Sequence, residues 1–241
     1  ARIFMLLLFL TVWELFADFH IIDSFFFSSP SRVVACFVRM VLERSLFTHI
    51  GITLTETVIS FFLVALVSLS AATLLWYSRR LSEILEPFLV VLNSLPKSAL
   101  APLLIVWLGT GMDTIIAAGI SVAIFGAIIN LYTGFLQADP KKLLLIRTLG
   151  GTRRDCFFKV VLPASIPVIL SNMKVNIGLS LVGVVIGEFL AARRGLGYLI
   201  IYGSQVLQLD MLITSILLLC IIAMGLYQLL QFAEHCYKKK V

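Results

Sequence analysis

Five small or amide-bearing residues, Asn172, Asn176, Ser180, Gly183 and Gly187, recur every three or four positions inside an apolar run. At helical spacing they share a sector about 80° wide. An asparagine amide both donates and accepts hydrogen bonds, so such a stripe suits the passage of a polar solute. The same small residues suit the close seating of a neighbouring helix, and both readings stand. Asn93 and Lys97, with Ser94 between them, flank Pro96 in a second apolar run, and Asn130 lies in a third. Polar groups in hydrocarbon need a partner or an aqueous cavity. Asn93, Ser94 and Lys97 are therefore candidates to line a vestibule, with headgroup contact the alternative for Lys97; Asn130 has the same ambiguity. Lys174 falls opposite the stripe and is expected to snorkel to headgroups. Glu188 and the following "RRGLGYLI" form a polar, glycine-bearing turn, read as a gate or a protein-docking surface. Glu14 and Glu56 are expected to be interfacial.

Enzyme chemistry would call for different equipment. A G-x-S-x-G elbow, an H-E-x-x-H zinc pair and paired intramembrane aspartates are all missing; Asp113, Asp139 and Asp210 fall at loop positions. Cys36, Cys156, Cys220 and Cys236 are scattered, so neither a disulfide framework nor a zinc site is indicated. The phosphate-cradling G-x-x-x-x-G-K-[ST] is also absent. No catalytic residue, metal or cofactor is expected on this chain.

The elements that must hold these residues are membrane helices. Of 241 residues, 60% are hydrophobic and 13% charged, with a mean hydropathy of +1.06; soluble domains carry about 25% charged residues. Residues 57–78, 114–138 and 211–233 contain no Asp, Glu, Lys, Arg or His, and roughly 20 helical residues cross the hydrocarbon core. The expected fold is one all-α integral membrane domain over 1–241. About six transmembrane helices are expected, near 3–19, 52–78, 85–108, 114–136, 164–190 and 211–234. The third carries Pro96 and Pro102, and the fifth follows Pro163 and contains Pro167. The opening "ARIFMLLLFLTVW" reads as the first span and not as a signal peptide.

Placing both termini in the cytoplasm puts twelve Lys and Arg inside and five outside, with Lys97 and Lys174 within spans. The positive-inside rule favours that orientation. The net charge of +6 belongs to this asymmetry and not to a nucleic-acid groove. Residues 18–50 then form the longest outer segment. There "SSPSRVVACFVRMVLERSLF" has helical amphipathicity, with Ser29 or Ser31 as cap. It either lies on the outer leaflet or packs as a connecting helix.

The loop between the fourth and fifth spans, "ADPKKLLLIRTLGGTRRDCFFKVVLP" (138–163), holds six Lys or Arg in 26 residues. Asp139 and Pro140 read as N-cap and first helical residue. Gly150-Gly151 reads as a left-handed stop, and Thr152 with Asp155 as a capping box. Two short helices are expected, with Pro163 resetting the backbone before the fifth span. Leu143, Leu144, Leu145, Ile146, Phe157 and Phe158 beside Arg147, Arg153 and Arg154 make an apolar centre with a basic rim. That is the make-up of a docking surface; a helix pair resting on anionic lipid shares it.

Gly150, Val160, Leu162 and Pro163 fill the spacing G-x(9)-[IV]-x-L-P. This resembles the cytoplasmic loop signature, the EAA motif, of ABC importer permeases. The run from "RTLGGTRRDCFFKVVLP" to "VIGEFL", with "GLGYLI", "SLPKSALAPLLIVWLGTG" and "SSPSRV", is similar to their nitrate/taurine/aliphatic-sulfonate branch. The likeness covers roughly residues 13–235. It implies a type I permease subunit of an ATP-driven importer, set in the bacterial cytoplasmic membrane and paired with a second copy. It also implies two ATPase subunits that bind ATP and Mg and receive the loop, an extracytoplasmic binding protein, and surrounding lipid. The coupling residues implied are Leu144, Leu145, Ile146, Arg147, Gly150, Gly151, Thr152, Arg153, Arg154, Asp155 and Phe157. Because the fifth helix lines the pathway in such permeases, the likeness adds weight to Asn172, Asn176, Ser180 and Glu188, beside Asn93, Ser94, Lys97 and Asn130, as path or gate. The family's Glu-Ala-Ala falls on Leu144-Leu145-Ile146, so its acidic contact is missing. Either apolar packing replaces it or Asp155 and the arginines carry the polar part. The implied solute is small and polar or anionic, nitrate-, sulfonate- or taurine-like, with a pyrimidine or vitamin precursor as the alternative within the family. A secondary carrier is the rival class, and the internal repeat it would show is not apparent.

Overall fold

The structure, a computed structural model, describes residues 2–19 and 28–238. Its elements are helices α1 (Arg2–Asp18), α2 (Pro30–Leu42), α3 (Ser45–Tyr77), α4 (Arg79–Ser94), α5 (Lys97–Leu108) and α6 (Met112–Leu136). After these come α7 (Pro140–Thr148), α8 (Arg153–Cys156), a π-helical turn (Phe157–Val161), α9 (Leu162–Ala191), α10 (Leu196–Gln205) and α11 (Leu209–Lys238).

The core is made by α3, α6 and α9, with α6 packed along both of the others. Lipid tails are as apolar as leucine, so such helices are held by close shape matching more than by water exclusion. Small residues supply it. A methyl at Gly183 would lie 2.7 Å from the Gly119 Cα and 2.8 Å from the Ala118 carbonyl oxygen. Val64, Ala123, Ala127 and Val184 are fully buried along the same seams. The glycine end of the 172–187 stripe therefore seats α9 on α6.

A second cluster joins α2, the start of α3, α10 and α11 through Cys36, Met40, Leu46, Leu196, Leu199 and Leu218. Ser29 caps α2 by accepting the Arg32 N–H (3.4 Å), and Pro30 takes the first helical position. The amphipathic helix expected here exists, and its buried stripe faces protein. Arg32 reaches Asp210 at the head of α11 (3.0 Å), and the Ser28 hydroxyl donates to the same carboxylate (2.6 Å). Glu14 accepts the Ser31 N–H (3.0 Å), so it holds the start of α2. Residues 20–27 of the expected outer segment, with Lys239 and Lys240 of the basic tail, lie outside the described residues.

Three expectations change. Among the described residues, four helical stretches are each long and apolar enough to cross a bilayer: α3, α6, the run Arg153–Ala191 and α11. The α4–α5 pair makes a fifth if taken as one span, where about six spans were expected. The span expected at 85–108 is instead α4 and α5 bent by 96°. Leu95 precedes a proline and is extended, and Pro96 cannot donate a helical hydrogen bond, so the chain turns there. Pro163, by contrast, does not reset the backbone. Its ring would crowd the Lys159 carbonyl in a regular α-helix; the wider π-turn relieves this, with the Leu162 N–H donating to Phe157 O. The helix runs unbroken from Arg153 to Ala191, 39 residues.

Candidate functional site

At one end of the core, the 138–163 loop is built as its sequence suggests. Asp139 accepts the Lys141 N–H (2.9 Å), with Pro140 in the first helical position. Gly150 closes α7 at φ +81°, and the Gly151 N–H donates to Ile146 O (2.8 Å). Thr152 and Asp155 form the capping box: the Thr152 N–H donates to Asp155 (2.9 Å) and the Asp155 N–H to Thr152 Oγ1 (3.2 Å). Lys159 pairs with the same Asp155 carboxylate (3.0 Å). Asp155 is thus engaged inside the loop.

The candidate docking residues divide. Leu144, Leu145, Arg147 and Arg154 are exposed, with Leu149 and Phe158, and Ile146 is half-buried. Phe157 is not part of that surface. It is buried among Trp76, Tyr77 and Phe135, with ring centroids 5.2 to 5.6 Å away. Arg153 is exposed, and its guanidinium donates to Trp76 O (3.1 Å) and lies over the indole. Phe157 and Arg153 anchor the loop to the end of α3, while Arg154 lies over the outward Phe158 ring.

Immediately beside the loop, a cleft of ≈ 450 Å³ opens between α6 and α9. Asn130, Thr133 and Gln137 line it from α6 and its C-cap, and Ser171 and Asn172 from α9. Asn130 and Asn172, far apart in sequence, are brought together. Thr133, Gln137 and Ser171 are additions; the signal for the first two was the i, i+3, i+7 spacing from Asn130, which shares one helix face. Asn172 and Asn176 also border a smaller, mainly apolar groove against α3. Ser180 is buried, and its hydroxyl has no hydrogen-bond partner.

The remaining polar candidates go elsewhere. Asn93 is exposed, and the Ser94 hydroxyl donates to Val90 O (2.9 Å) within its own helix. Lys97 folds back to donate to Leu92 O and lies over the Phe125 ring, which closes the carbonyl end of α4 at the bend. None of the three lines the cleft. Lys174 does not snorkel; it pairs with Glu234 of α11 (2.5 Å), and both side chains are largely buried.

At the opposite end of the core, Glu188 is 1% exposed and accepts from Thr53 Oγ1 (2.6 Å) and the Gly197 N–H (2.5 Å). The Leu196 N–H donates to Thr53 Oγ1 (2.9 Å) and the Gly195 N–H to His49 Nδ1 (2.9 Å). The carboxylate thus sits against the first turn of α10, where helix N–H groups favour negative charge. Gly195 (φ +120°) is required here, because a Cβ would fall 2.2 Å from Glu188 Oε1. Glu56, expected at an interface, is 2% exposed beside Glu188, and its Oε2 has no hydrogen-bond partner. Local sequence carried no sign of that burial, since it depends on where α9 and α10 pack.

Comparison with known proteins fits this architecture. Residues 64–233 match the family described as binding-protein-dependent transport system inner membrane component. The chain belongs to this family. It is 30% identical over 233 residues to a probable ABC transporter permease protein of Haemophilus influenzae, covering 94% of this chain and 91% of that one. It is 28% identical to the formylaminopyrimidine transport permease protein ThiX of Halalkalibacterium halodurans, covering 80% and 76%. It is 26% identical to the taurine transport system permease protein TauC of Escherichia coli, covering 89% and 80%. These relatives are consistent with the nitrate/taurine/sulfonate branch. Among solved structures, the inward-facing MetNI methionine ABC transporter aligns with a TM-score of 0.68 at 20% identity, covering 83% of this chain and 97% of that one. At that identity the likeness concerns the fold, that of a type I importer permease. This permease is a membrane transport subunit with several apolar helices.

Proposed function

We propose that this permease pairs with a second copy and docks its 138–163 loop into a cytoplasmic ATPase on each side, with both termini cytoplasmic. ATP and Mg bind the ATPases, and an extracytoplasmic binding protein delivers a small polar solute to the far end of the helix bundle. The observation that carries this reading is the 39-residue helical run from Arg153 to Ala191. It joins a loop bearing exposed Leu144, Leu145 and Phe158 to the helix that carries Asn172 and Glu188. A push on the loop acts on α9 as on a rod, because Phe157 and Arg153 tie its base to α3. Apolar packing by the two leucines replaces the contact that an acidic residue makes in the EAA motif.

Reconstitution with the ATPase and the binding protein tests this. ATP turnover stimulated by liganded binding protein is expected. Gly150→Pro, which cannot adopt φ +81°, and Arg154→Glu are expected to abolish ATPase copurification at normal permease yield. Normal uptake by both variants would remove the loop from the coupling mechanism.

A further inference from the structure

The end of the core opposite the loop buries two carboxyl groups together. Glu56 of α3 is 2% exposed and Glu188 of α9 is 1% exposed, and their side chains lie within hydrogen-bonding reach of each other. Glu188 is well supplied with donors: the Thr53 hydroxyl (2.6 Å) and the N–H groups of Gly197 (2.5 Å) and Tyr198. Glu56 is not, and its Oε2 is shut off from water with no partner. No cation makes up the difference. The ion pairs among the described residues join Arg32 to Asp210, Arg79 to Glu83, Lys159 to Asp155 and Lys174 to Glu234. Arg193 and Arg194 line the ≈ 490 Å³ cleft that Glu56 borders, but both are exposed. His49, stacked on the Tyr198 ring, is occupied by the Gly195 N–H. The start of α6 brings Met112 and Ile115 to that cleft, neither of which titrates, and Asp113 between them is exposed.

A carboxylate buried without a counter-charge is costly, and a second carboxylate alongside adds repulsion. What relieves Glu56 must fit where not even water reaches, which leaves no space for a metal ion. Among the described residues, no group of three or more metal-ligating side chains occurs either. A proton needs no space. We propose that Glu56 and Glu188 hold one proton between them, the Glu56 carboxyl donating and Glu188 accepting, and that this bond clasps α3 to α9. Glu56 is the donor because the Glu188 oxygens already accept from three other groups. In water, glutamates give up that proton above about pH 5. Packing α3 on α9 at this end therefore takes up one proton, and separating them releases it. The clasp is intact in acid and is lost as the pH rises through the point at which the pair ionises. The site stands on the packing of α3 and α9 and does not depend on the transport reading.

The test uses the full chain in lipid nanodiscs. At neutral pH, where exposed carboxyls are ionised, its infrared spectrum is expected to show the C=O stretch of about one protonated carboxylic acid per chain. Glu56→Gln, whose amide N–H replaces the carboxyl donor, should fold and lose that band. Thermal unfolding of the unsubstituted chain should come earlier at about pH 9 than at about pH 6, and Glu56→Gln should shrink that difference. A folded chain without the band would overturn the proposal, as would a band that survives both Glu56→Gln and Glu188→Gln. Equal pH dependence of unfolding in the unsubstituted chain and Glu56→Gln would do the same. So would a Glu56→Gln chain that does not fold, because the amide copies the protonated carboxyl in both shape and donor.

Discussion

The two ends of the α3–α6–α9 core handle polar groups alike and apolar groups in opposite ways. At the Glu188 end, Glu56 Oε2 apart, the carboxylate, the Thr53 hydroxyl, His49 and the first turn of α10 satisfy one another, and the apolar side chains Leu196 and Leu199 are buried in the adjoining cluster. At the loop end, the caps of α7 and α8 also use up their own polar groups, yet Leu144, Leu145, Leu149 and Phe158 point outward. A region that consumes its polar groups and buries its apolar ones holds the fold together. A region that consumes its polar groups and displays its apolar ones is finished only by a partner.

Adjacent residues sharpen this contrast most. Phe157→Ala is expected to cost about 3–5 kcal/mol of stability, read as earlier thermal unfolding in detergent, because it empties the Trp76–Tyr77–Phe135 pocket. Phe158→Ala should change stability by less than about 0.5 kcal/mol and weaken ATPase binding instead. Equal unfolding temperatures for the two variants would break the division between anchor and surface. At the other end, Glu188→Ala leaves the Gly197 N–H and the Thr53 hydroxyl without their acceptor, a loss of about 2–3 kcal/mol. Thr53→Val removes the same hydrogen bond from the other side and should couple to Glu188→Ala in a double-mutant cycle; zero coupling would show that the two side chains do not support each other. Leu144→Asp with Leu145→Asp should leave unfolding unchanged and weaken ATPase binding by about 2 kcal/mol, roughly thirtyfold in Kd by titration. An unfolding shift with intact binding would mean the leucines belong to the core. Lys174→Ala, which removes the ion pair to α11, should give the smallest shift, a slightly earlier thermal unfolding; no change at all would show that helix packing alone fixes α11.

The caps and the glycine turn of the loop were legible residue by residue. Asp139–Pro140, Gly150 and Thr152–Asp155 act within four residues of themselves, and short-range caps depend on little beyond local chain geometry. The polar stripe was legible as a stripe but not in its use. Its glycine end meets α6, while Asn172 borders the cleft and Asn176 the groove against α3, a division made by how the helices pack. Lys174 and Arg153 looked like headgroup and rim cations, yet their partners, Glu234 and Trp76 O, are 60 and 77 residues away. Pro96 and Pro163 show the same limit. Each removes a donor and crowds a preceding turn, but one site bends by 96° and the other is absorbed by a π-turn. Phe157, packed among Trp76, Tyr77 and Phe135, holds the second site straight.

The sequence by itself determined that this chain is a bundle of apolar helices with a capped, basic loop, because hydropathy, caps and glycine turns act through neighbours along the chain. Tertiary structure alone decided which phenylalanine anchors and which is displayed, that Glu56 is buried beside Glu188, and that Asn130 and Asn172 share a cleft with no charge in it. Those outcomes depend on distances between helices, and in a membrane such distances are set by where small residues let two backbones meet.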